Sequence, residues 1–326
     1  MPTHDQLAAL AAASLNHFVL PDSATATLIN HSENATYRVD DANTGRRWAL
    51  RIHRAGYHSP TAIASELAWS KGVRDAGAAI TPVAIPGRDG GFLQTVAHAS
   101  VTRPRMAVLF AWETGTEPAI GDLSRYSQLG EMAARMHWHV RTWPRPKWFD
   151  RHTWDFETSL GGAPHWGRWR DAMGMTPEIE AIFARTAELI RVRLERFGKG
   201  SERFGLVHGD MRHANLLVDG ETLKLLDFDD SGFSWFLYDC ATTVSFLEHQ
   251  PEVPGIIARW VEGYRRIAPL STADEAEIPT FVMLRRLLLT AWIGSHSETD
   301  LALSMGAQYT ADTVPMCDWY LSDMAA

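Results

Sequence analysis

The stretch 204–229, FGLVHGDMRHANLLVDGETLKLLDFD, constrains the fold more than any other part of the sequence. Residues 204–207, 216–218 and 222–226 are short apolar segments that predict buried strands. Asp219-Gly220, between the last two segments, is a strong signal for a β-hairpin. The sequence therefore predicts a loop after the first strand, followed by a hairpin that returns the chain to that loop.

Polar residues occupy the loop and the end of the hairpin. His208, Asp210 and Asn215 follow the first strand, and Asp227 follows the last. The hairpin would bring Asp227 beside Asp210 and Asn215. Carboxylate and amide oxygens are the ligands that Mg²⁺ prefers, so these residues form a candidate magnesium site.

The spacing His-Gly-Asp-x4-Asn, followed by Leu-Leu-Asp-Phe-Asp, resembles the catalytic core of the protein-kinase-like fold. The match resembles the small-molecule branch of this fold, the aminoglycoside phosphotransferase and choline kinase superfamily, which typically has a glycine after the histidine. The resemblance implies that Asp210 is the catalytic base and that Asn215 and Asp227 hold Mg²⁺. By the same resemblance, His208 would have a structural role in the loop. Arg212 would stabilise charge on the γ-phosphoryl group of ATP during transfer.

The same resemblance implies an α+β, two-lobed protein-kinase-like fold. Residues 1–112 would form a small N-terminal lobe built on an antiparallel sheet, and residues 113–326 a larger, mostly helical lobe. Helical patterns support this division, and they cover residues 4–18, 61–76, 122–140, 177–198, about 254–268, 277–295 and 298–322.

Composition narrows the classes of function. A formal charge of −8 argues against a nucleic-acid-binding protein and is compatible with a cationic substrate. No apolar run is long enough to cross a bilayer, and the N-terminus lacks the basic start of a signal peptide. Two cysteines make no disulfide framework. We therefore expect a cytoplasmic protein, a monomer or a homodimer, without nucleic-acid or membrane partners.

The first predicted hairpin departs from the protein-kinase pattern. Its turn, residues 31–35, contains no glycine, and the first glycine of the chain is Gly45. By the resemblance, a polar turn replaces the glycine-rich phosphate loop, with Ser32, Asn34 and Thr36 as donors to phosphate oxygens. An ordinary solvent-facing turn is the alternative.

The strand that carries the phosphate-anchoring lysine in kinases has no lysine here. No lysine precedes Lys71, and Arg51 stands at the matching position of Trp48–His53. Arginine is always charged and grips phosphate or carboxylate through two donors. The resemblance implies an Arg51–Glu66 pair in place of the lysine–glutamate pair. The alternative is that Arg51 is a surface arginine on an edge strand.

The apolar strand at residues 106–112 leads, in the family, into the hinge that holds the adenine. Backbone groups of Phe110 and Trp112 would bind the adenine edge, and Ala49 and Leu217 would contact its two faces. Plain core packing of these residues is the alternative.

Residues 141–176 form a tryptophan-rich insert with several prolines and glycines. Such a segment is either a functional lid or a loop anchored by its tryptophans. Asp155 in the insert, Asp230 and Glu248 are candidate contacts for a cationic substrate. Three more acidic residues are candidates and rest, like Glu248, on composition alone: Glu262, Glu298 and Asp300. Asp239 is expected to brace the catalytic loop, by the resemblance.

We therefore expect an enzyme that transfers the γ-phosphate of ATP, or of GTP, to a hydroxyl of a small molecule in a Mg²⁺-dependent reaction. The acceptor would be an amine-bearing antibiotic, similar to an aminoglycoside, or a metabolite such as choline or ethanolamine. The run after Asp227 also resembles the bacterial branch of type II homoserine kinase and a stress-response Ser/Thr protein kinase. A nucleotide-binding pseudokinase, motivated by Arg51, and a zinc hydrolase using His208, Asp210 and His213 are the remaining alternatives.

Overall fold

A computed structural model describes residues 3–32, 34–99, 101–297 and 299–324, apart from the side chain at position 300. The described chain divides into two compact units. The first, here called the sheet unit, comprises Met1–Arg74, Thr81–Thr114 and Arg145–Asp150. The second, the helical unit, comprises Asp75–Ile80, Gly115–Pro144 and Arg151–Ala326.

The sheet unit is built on an antiparallel sheet. Its strands follow the order β1-β2-β3-β6-β4, and β5 pairs with β6 beyond the end of the β6–β4 pairing. The strands are β1 (Ala24–His31), β2 (Ala35–Asp41), β3 (Arg47–Ile52), β4 (Ala84–Ile85), β5 (Gln94–Val96) and β6 (Arg105–Ala111). Helices α1 (His4–Leu15) and α2 (Pro60–Asp75) complete the unit.

Side-chain alternation explains how the sheet acquires a core. Every second residue of β2 is buried, among them Tyr37 and Val39, as expected of a strand with one face covered. Leu7 and Leu10 of α1 join that core. Thr3 caps α1 and shares a capping box with Gln6, which fixes where the helix begins.

The helical unit contains two small antiparallel ribbons, β7 with β10 and β8 with β9. Its strands are β7 (Phe204–Val207), β8 (Leu216–Asp219), β9 (Thr222–Leu225) and β10 (Gly232–Trp235). Its helices are α3 (Leu123–His139), α4 (Phe156–Ser159), α5 (Pro177–Phe197), α6 (Phe236–Thr243), α7 (Val253–Ile267), α8 (Thr272–Glu275), α9 (Ile278–Ser295) and α10 (Asp300–Met324), the last interrupted at Gly306. No helix in the described ranges is both long and apolar enough to cross a membrane.

Helices α3 and α7 approach each other closely at two glycines. A Cβ added at Gly130 would lie 2.0 Å from the carbonyl oxygen of Trp260, and one at Gly263 would lie 1.9 Å from that of Ser127. No side chain fits at either place, so glycine is what allows the two helices to touch. At the C-terminal turn of α3, His137 Nδ1 lies 3.2 Å from the Tyr264 hydroxyl, so α7 also contacts the turn that carries His137 toward the catalytic loop.

Helix α9 is buried along nearly its whole length and packs against α5, α6 and α10. Most of its side chains are apolar, but Arg285 and Arg286 lie in its middle and are 2% and 0% exposed. Buried arginines need carboxylate partners, because an uncompensated buried charge is costly. Both find one, as described below.

The part of the insert from residue 151 onward packs on the helical unit. Thr153 forms a parallel bridge with Phe233 of β10. Trp154, Trp166 and Trp169 are 1–3% exposed. These tryptophans anchor the segment, in agreement with the interpretation of the insert as a loop held by its tryptophans.

Candidate active site

The catalytic loop follows β7 and ends in a 3-10 turn, His213–Asn215. Inside it the His208 ring uses both nitrogens: Nδ1 accepts from the Asp210 backbone N–H at 3.2 Å, and Nε2 donates to the Leu226 carbonyl at 2.9 Å. Burial lowers the pKa of His208, although the nearby carboxylates of Asp239 and Asp210 act in the opposite direction. A neutral ring with no free lone pair cannot ligate zinc, so this geometry argues against the zinc hypothesis.

Asp239 of α6 holds the loop backbone. Its Oδ1 accepts from the Gly209 N–H at 2.8 Å and its Oδ2 from the His208 N–H at 3.1 Å. His137 of α3 lies 2.9 Å from Oδ2 through Nε2 and stacks on Phe236. The carboxylate thus ties α3 and α6 to the residues that precede Asp210.

Gly209 is required by the local backbone. Its φ is +80°, and a Cβ there would lie 2.6 Å from the carbonyl oxygen of Asp230. Only glycine meets both conditions without strain. The glycine after the histidine therefore has a physical reason in this chain.

The Asp210 carboxylate is bound through both oxygens. Oδ1 accepts from Arg285 Nη2 at 2.6 Å, and Oδ2 accepts from Asn215 Nδ2 at 2.8 Å and from Arg212 Nε at 3.1 Å. Burial alone would raise the pKa of Asp210, but the guanidinium charges of Arg212 and Arg285 outweigh it and hold the pKa below its usual value. Asp210 is therefore an ionised, oriented carboxylate.

Arg285 is a site residue that the sequence interpretation missed. It lies 75 positions from Asp210 and reaches it from α9. Two adjacent arginines inside an otherwise apolar helix were the available signal. Such arginines indicate buried ion pairs, but the sequence does not indicate which carboxylate is the partner of each.

Asn215 and Asp227 offer oxygens that fit a hard divalent cation. The Asn215 amide nitrogen donates to the Asp210 carbonyl and carboxylate, which leaves its oxygen for another partner. Asp227 follows β9 with an exposed side chain and a φ of +56°. A non-glycine residue in that region is strained, and such strain is concentrated at functional sites. The donor set suits Mg²⁺.

The insert clamps the segment that follows Asp227. Arg151 donates to the carbonyls of Asp229 and Ser231, the latter at 2.6 Å. Trp154 Nε1 donates to the Asp230 carbonyl at 2.7 Å. The insert thus fixes the backbone at residues 229–231, and the Asp230 side chain is left partly exposed.

In the sheet unit, Arg51 of β3 forms an ion pair with Glu66 of α2. Both side chains are buried, at 8% and 3% exposure, and Arg51 lies over the Phe110 ring. β3 has β2 on one side and β6 on the other, so the alternative of a surface arginine on an edge strand is wrong. The role of the pair in phosphate binding stays a prediction.

Comparison with known proteins agrees with this geometry. The profile of the phosphotransferase enzyme family matches residues 25–274. The chain belongs to this family. The prediction of an α+β protein-kinase-like fold is confirmed, because kinases of the family have the same fold.

Three kinases are among the proteins to which the chain is similar. The solved structure of a microcompartment-associated aminopropanol kinase is 42% identical, with a TM-score of 0.87, and the match covers 95% of this chain and 96% of that one. An amicoumacin kinase solved with AMP-PNP, Ca²⁺ and Ami is 20% identical, with a TM-score of 0.77, over 97% and 94% of the two chains. The homoserine kinase of Gluconobacter oxydans is 24% identical over 72% of this chain and 74% of its own length.

The remaining nucleotide contacts predicted for a member of this family lie as follows. In the turn after β1, Asn34 Oδ1 accepts from the Arg54 backbone N–H at 3.1 Å, and the Ser32 N–H donates to the Asn34 carbonyl at 3.1 Å. Thr36 lies opposite Arg51 in the β2–β3 register. Ser32 and Asn34 thus have hydrogen-bond partners within the sheet unit, and the contact of these residues with phosphate stays a prediction.

The residues predicted to contact adenine are divided between the two units. Ala49 of β3 pairs with Phe110 of β6, and Trp112 directly follows β6. Leu217 lies on β8 in the helical unit. All four are only partly buried, which leaves side-chain surface for a ligand. Their contact with a base stays a prediction.

Two of the carboxylates predicted to bind a cationic substrate are engaged within the protein. Asp155 caps α4 and accepts from Lys199 Nζ at 2.7 Å. Glu248 is fully buried and accepts from Arg286 Nη1 at 2.8 Å. Its carboxylate cannot meet a substrate in this arrangement, because the partners of the pair enclose it.

The other acidic residues predicted to contact a substrate lie in different surroundings. Glu262 pairs with Arg259 and Arg266 on the exposed side of α7. Residue 298 and the side chain of residue 300 lie outside the described residues, so Glu298 and Asp300 are not placed. Asp230 is the predicted substrate carboxylate that lies beside the catalytic loop.

Proposed function

We propose that the protein transfers the γ-phosphoryl group of ATP, with Mg²⁺, to the hydroxyl of a small amine-bearing molecule. An amino alcohol is the preferred acceptor in this proposal. The oriented Asp210 carboxylate is the observation that carries the proposal. The acceptor class is supported by the aminopropanol kinase, which is 42% identical over nearly the whole chain.

Asp210 orients the acceptor hydroxyl and takes its proton as the oxygen attacks. The new bond joins that oxygen to the γ-phosphorus, the bond from the γ-phosphorus to the bridging oxygen breaks, and ADP leaves. Because the pKa of Asp210 is low, its main contribution is to hold the hydroxyl in line, and proton transfer comes late. Arg212 is 25% exposed and binds Asp210 through Nε, and its guanidinium charge would stabilise the phosphoryl oxygens.

Asn215 and Asp227 are the residues that would hold Mg²⁺. When bound, the ion would neutralise negative charge on the phosphates. The amicoumacin kinase solved with an ATP analogue and Ca²⁺ supports a nucleotide and a divalent cation in this family.

On the nucleotide side, the proposal assigns the phosphate anchor to Arg51, which Glu66 keeps in place. Ser32, Asn34 and Thr36 would donate to phosphate oxygens. For the base, backbone groups of Phe110 and Trp112 and the side chains of Ala49 and Leu217 are the proposed contacts. ATP is the expected donor, and GTP is tested beside it.

Asp230 is the proposed contact for the ammonium group of the acceptor. Its carbonyl is clamped by Trp154, so the carboxylate extends from a fixed backbone. An amino alcohol would place its hydroxyl at Asp210 and its ammonium group at Asp230.

The test is a coupled kinase assay with ATP or GTP, Mg²⁺ and a panel of acceptors. The panel contains 1-amino-2-propanol, ethanolamine, choline, homoserine, an aminoglycoside and a Ser/Thr protein substrate. We expect Mg²⁺-dependent turnover with the amino alcohols and a KM for them that rises with salt.

Each other outcome points to a stated alternative. Preference for homoserine or for the protein would replace the acceptor class and keep the chemistry. Nucleotide binding without turnover would favour the pseudokinase. If neither nucleotide binds in the presence of Mg²⁺, the kinase proposal is wrong.

A further inference from the structure

We propose that Arg285 is a positioning residue for the catalytic base. It holds Asp210 Oδ1 so that Oδ2 faces the acceptor hydroxyl. This inference rests on the proposed function, because it concerns the same carboxylate, and it adds a residue from a helix outside the catalytic loop.

The hydrogen bonds of Arg285 leave it little freedom. Nη2 binds Asp210 Oδ1 at 2.6 Å, and Nε donates to Ser245 Oγ at 3.0 Å. Nη1 lies 3.2 Å from the Tyr238 hydroxyl and 3.4 Å from the Gly209 carbonyl. Each nitrogen of the guanidinium group has a partner, so the group's plane and direction are fixed.

Aromatic rings enclose the same guanidinium group. The Arg285 Cζ lies 5.1 Å from the centroid of the Trp166 ring and 5.8 Å from that of Tyr238. Trp166 belongs to the insert, and its carbonyl accepts from Ser295 Oγ of α9 at 2.6 Å. The insert therefore packs on the group that holds the catalytic base.

The two arginines on Asp210 differ in exposure and in the number of their hydrogen-bond partners. Arg212 is 25% exposed and contacts the carboxylate through Nε alone, whereas Arg285 is 2% exposed and bonded at every nitrogen. If Arg212 turns toward the phosphoryl group, Arg285 and Asn215 still hold the carboxylate. The orientation of Asp210 then depends on Arg285, together with Asn215, throughout the reaction.

A purely structural ion pair is a weak explanation of this arrangement. Buried ion pairs add little net stability, because desolvation offsets their attraction. The neighbouring residue Arg286 forms such a pair with Glu248, away from Asp210. Arg286 therefore provides a matched control, one position along the same helix.

The experiment compares Arg285→Lys with Arg286→Lys, with 1-amino-2-propanol and Mg·ATP as probes. Lysine keeps the charge but loses the planar set of donors. For Arg285→Lys we expect kcat to fall about 10- to 100-fold, because small errors in the position of a catalytic group are costly. The KM for ATP should stay within about twofold in both variants, since neither arginine contacts the nucleotide in the proposal.

Arg286→Lys should lower the melting temperature about as much as Arg285→Lys and should leave kcat within about twofold of wild type. Equal kcat losses in the two variants would overturn the proposal. A kcat for Arg285→Lys near that of wild type would overturn it as well.

A milder variant tests the same idea if Arg285→Lys does not fold. Ser245→Ala removes the bond to Nε and touches no atom of Asp210. We expect a kcat loss of several-fold that disappears in an Asp210→Asn background, because the two changes act through one carboxylate. Losses that multiply would contradict the proposal.

A crystal structure of Arg285→Lys gives a readout that needs no turnover. The proposal requires the Asp210 carboxylate to rotate or to become disordered, and an unchanged carboxylate would overturn it. If wild-type protein transfers phosphate to none of the acceptors, the proposed function fails, and this readout still decides whether Arg285 orients Asp210.

Discussion

Two neighbouring arginines of α9 form two buried ion pairs with different surroundings. Arg286 and Glu248 are both 0% exposed, and Thr313 and Tyr309 complete the cluster. Arg285 meets Asp210 at the end of a loop, where the carboxylate is 11% exposed and has two further donors. The first pair is enclosed by its partners, whereas the carboxylate of the second keeps some exposure to solvent. The same chemistry thus serves packing in one place and the candidate reaction in the other.

The largest effect should come from the pair on the catalytic loop. Asp210→Asn keeps the shape of the side chain but removes the charge that accepts the hydroxyl proton. We expect kcat to fall by about 10²–10⁴, while nucleotide still binds. Steady-state kinetics and calorimetric titration with AMP-PNP measure the two quantities. A variant that retains a tenth of the activity would deny Asp210 its role as the base.

The enclosed pair should respond in stability. Glu248→Gln leaves Arg286 as a buried charge without its counter-ion, and we expect a loss of about 3–5 kcal/mol in the free energy of unfolding. The folded fraction should retain wild-type kcat. Urea unfolding and kinetics at low temperature check both statements, with Glu262→Gln on the exposed face of α7 as the control that changes neither. A loss of turnover without loss of stability would return Glu248 to the substrate site.

The Arg51–Glu66 pair could be structural, like Arg286–Glu248, or functional, like Arg285–Asp210, and a pair of variants distinguishes the two. If Arg51 also anchors phosphate, Arg51→Ala should raise the Kd for ATP about 10- to 100-fold, the value of a charge-assisted hydrogen bond of about 1.5–3 kcal/mol. Arg51→Lys should recover part of that affinity. Isothermal titration gives the affinities and urea unfolding the stabilities. Lower stability with unchanged affinity in both variants would make the pair structural, like Arg286–Glu248.

The stability of the protein should also depend on pH through His208 of the catalytic loop. The pKa of His208 is lowered by burial, whereas an unfolded histidine has a pKa of about 6.5. Below that pH the unfolded chain takes up a proton that the folded chain does not, so stability should fall as the pH decreases from about 6.5. The slope from this residue is at most about 1.4 kcal/mol per pH unit.

Urea unfolding between pH 5.5 and 7.5, a window that avoids most carboxylate titration, measures that slope. His208→Gln should be less stable at neutral pH but should show a shallower dependence. An equal slope in the two proteins would mean that other groups titrate there.

The smallest effects should come from two tyrosines, one beside each arginine. Tyr238→Phe removes a partner of Arg285, and we expect a few-fold loss of kcat with little change in stability. Tyr309→Phe removes a donor to Glu248 and should cost about 1 kcal/mol of stability with kcat unchanged. Kinetics and thermal unfolding of the two variants form one experiment. The reverse pattern would undo the distinction between the two pairs.

Local sequence signals were enough to predict the loop and the hairpin. Asp219 pairs with Thr222 across the turn at Gly220, as the Asp-Gly dipeptide predicts. The helices predicted at residues 4–18, 61–76 and 277–295 lie within a few residues of α1, α2 and α9, because their apolar residues recur with a helical period. The roles assigned to Asp210, Asn215 and Asp227 stay predictions that the experiments above address.

Substrate carboxylates were harder to predict, because the sequence does not show what a carboxylate faces. Glu248 was expected at the substrate, yet Arg286, 38 positions away, encloses it. Asp155 was expected there too, and it caps α4 and binds Lys199. A carboxylate is free for a ligand only when the fold provides no internal partner, and that depends on the packing of distant helices.

The sequence by itself determined the family, the kinase-like fold and the order of polar residues in the catalytic loop, because those depend on neighbours along the chain. Tertiary structure alone decided which arginine holds Asp210, which carboxylates are already paired and how the insert clamps the segment after Asp227. Those contacts join residues 38 to 80 positions apart. Their partners are selected by burial, because a charge removed from water must be compensated by whatever group the packing of the helices brings near it.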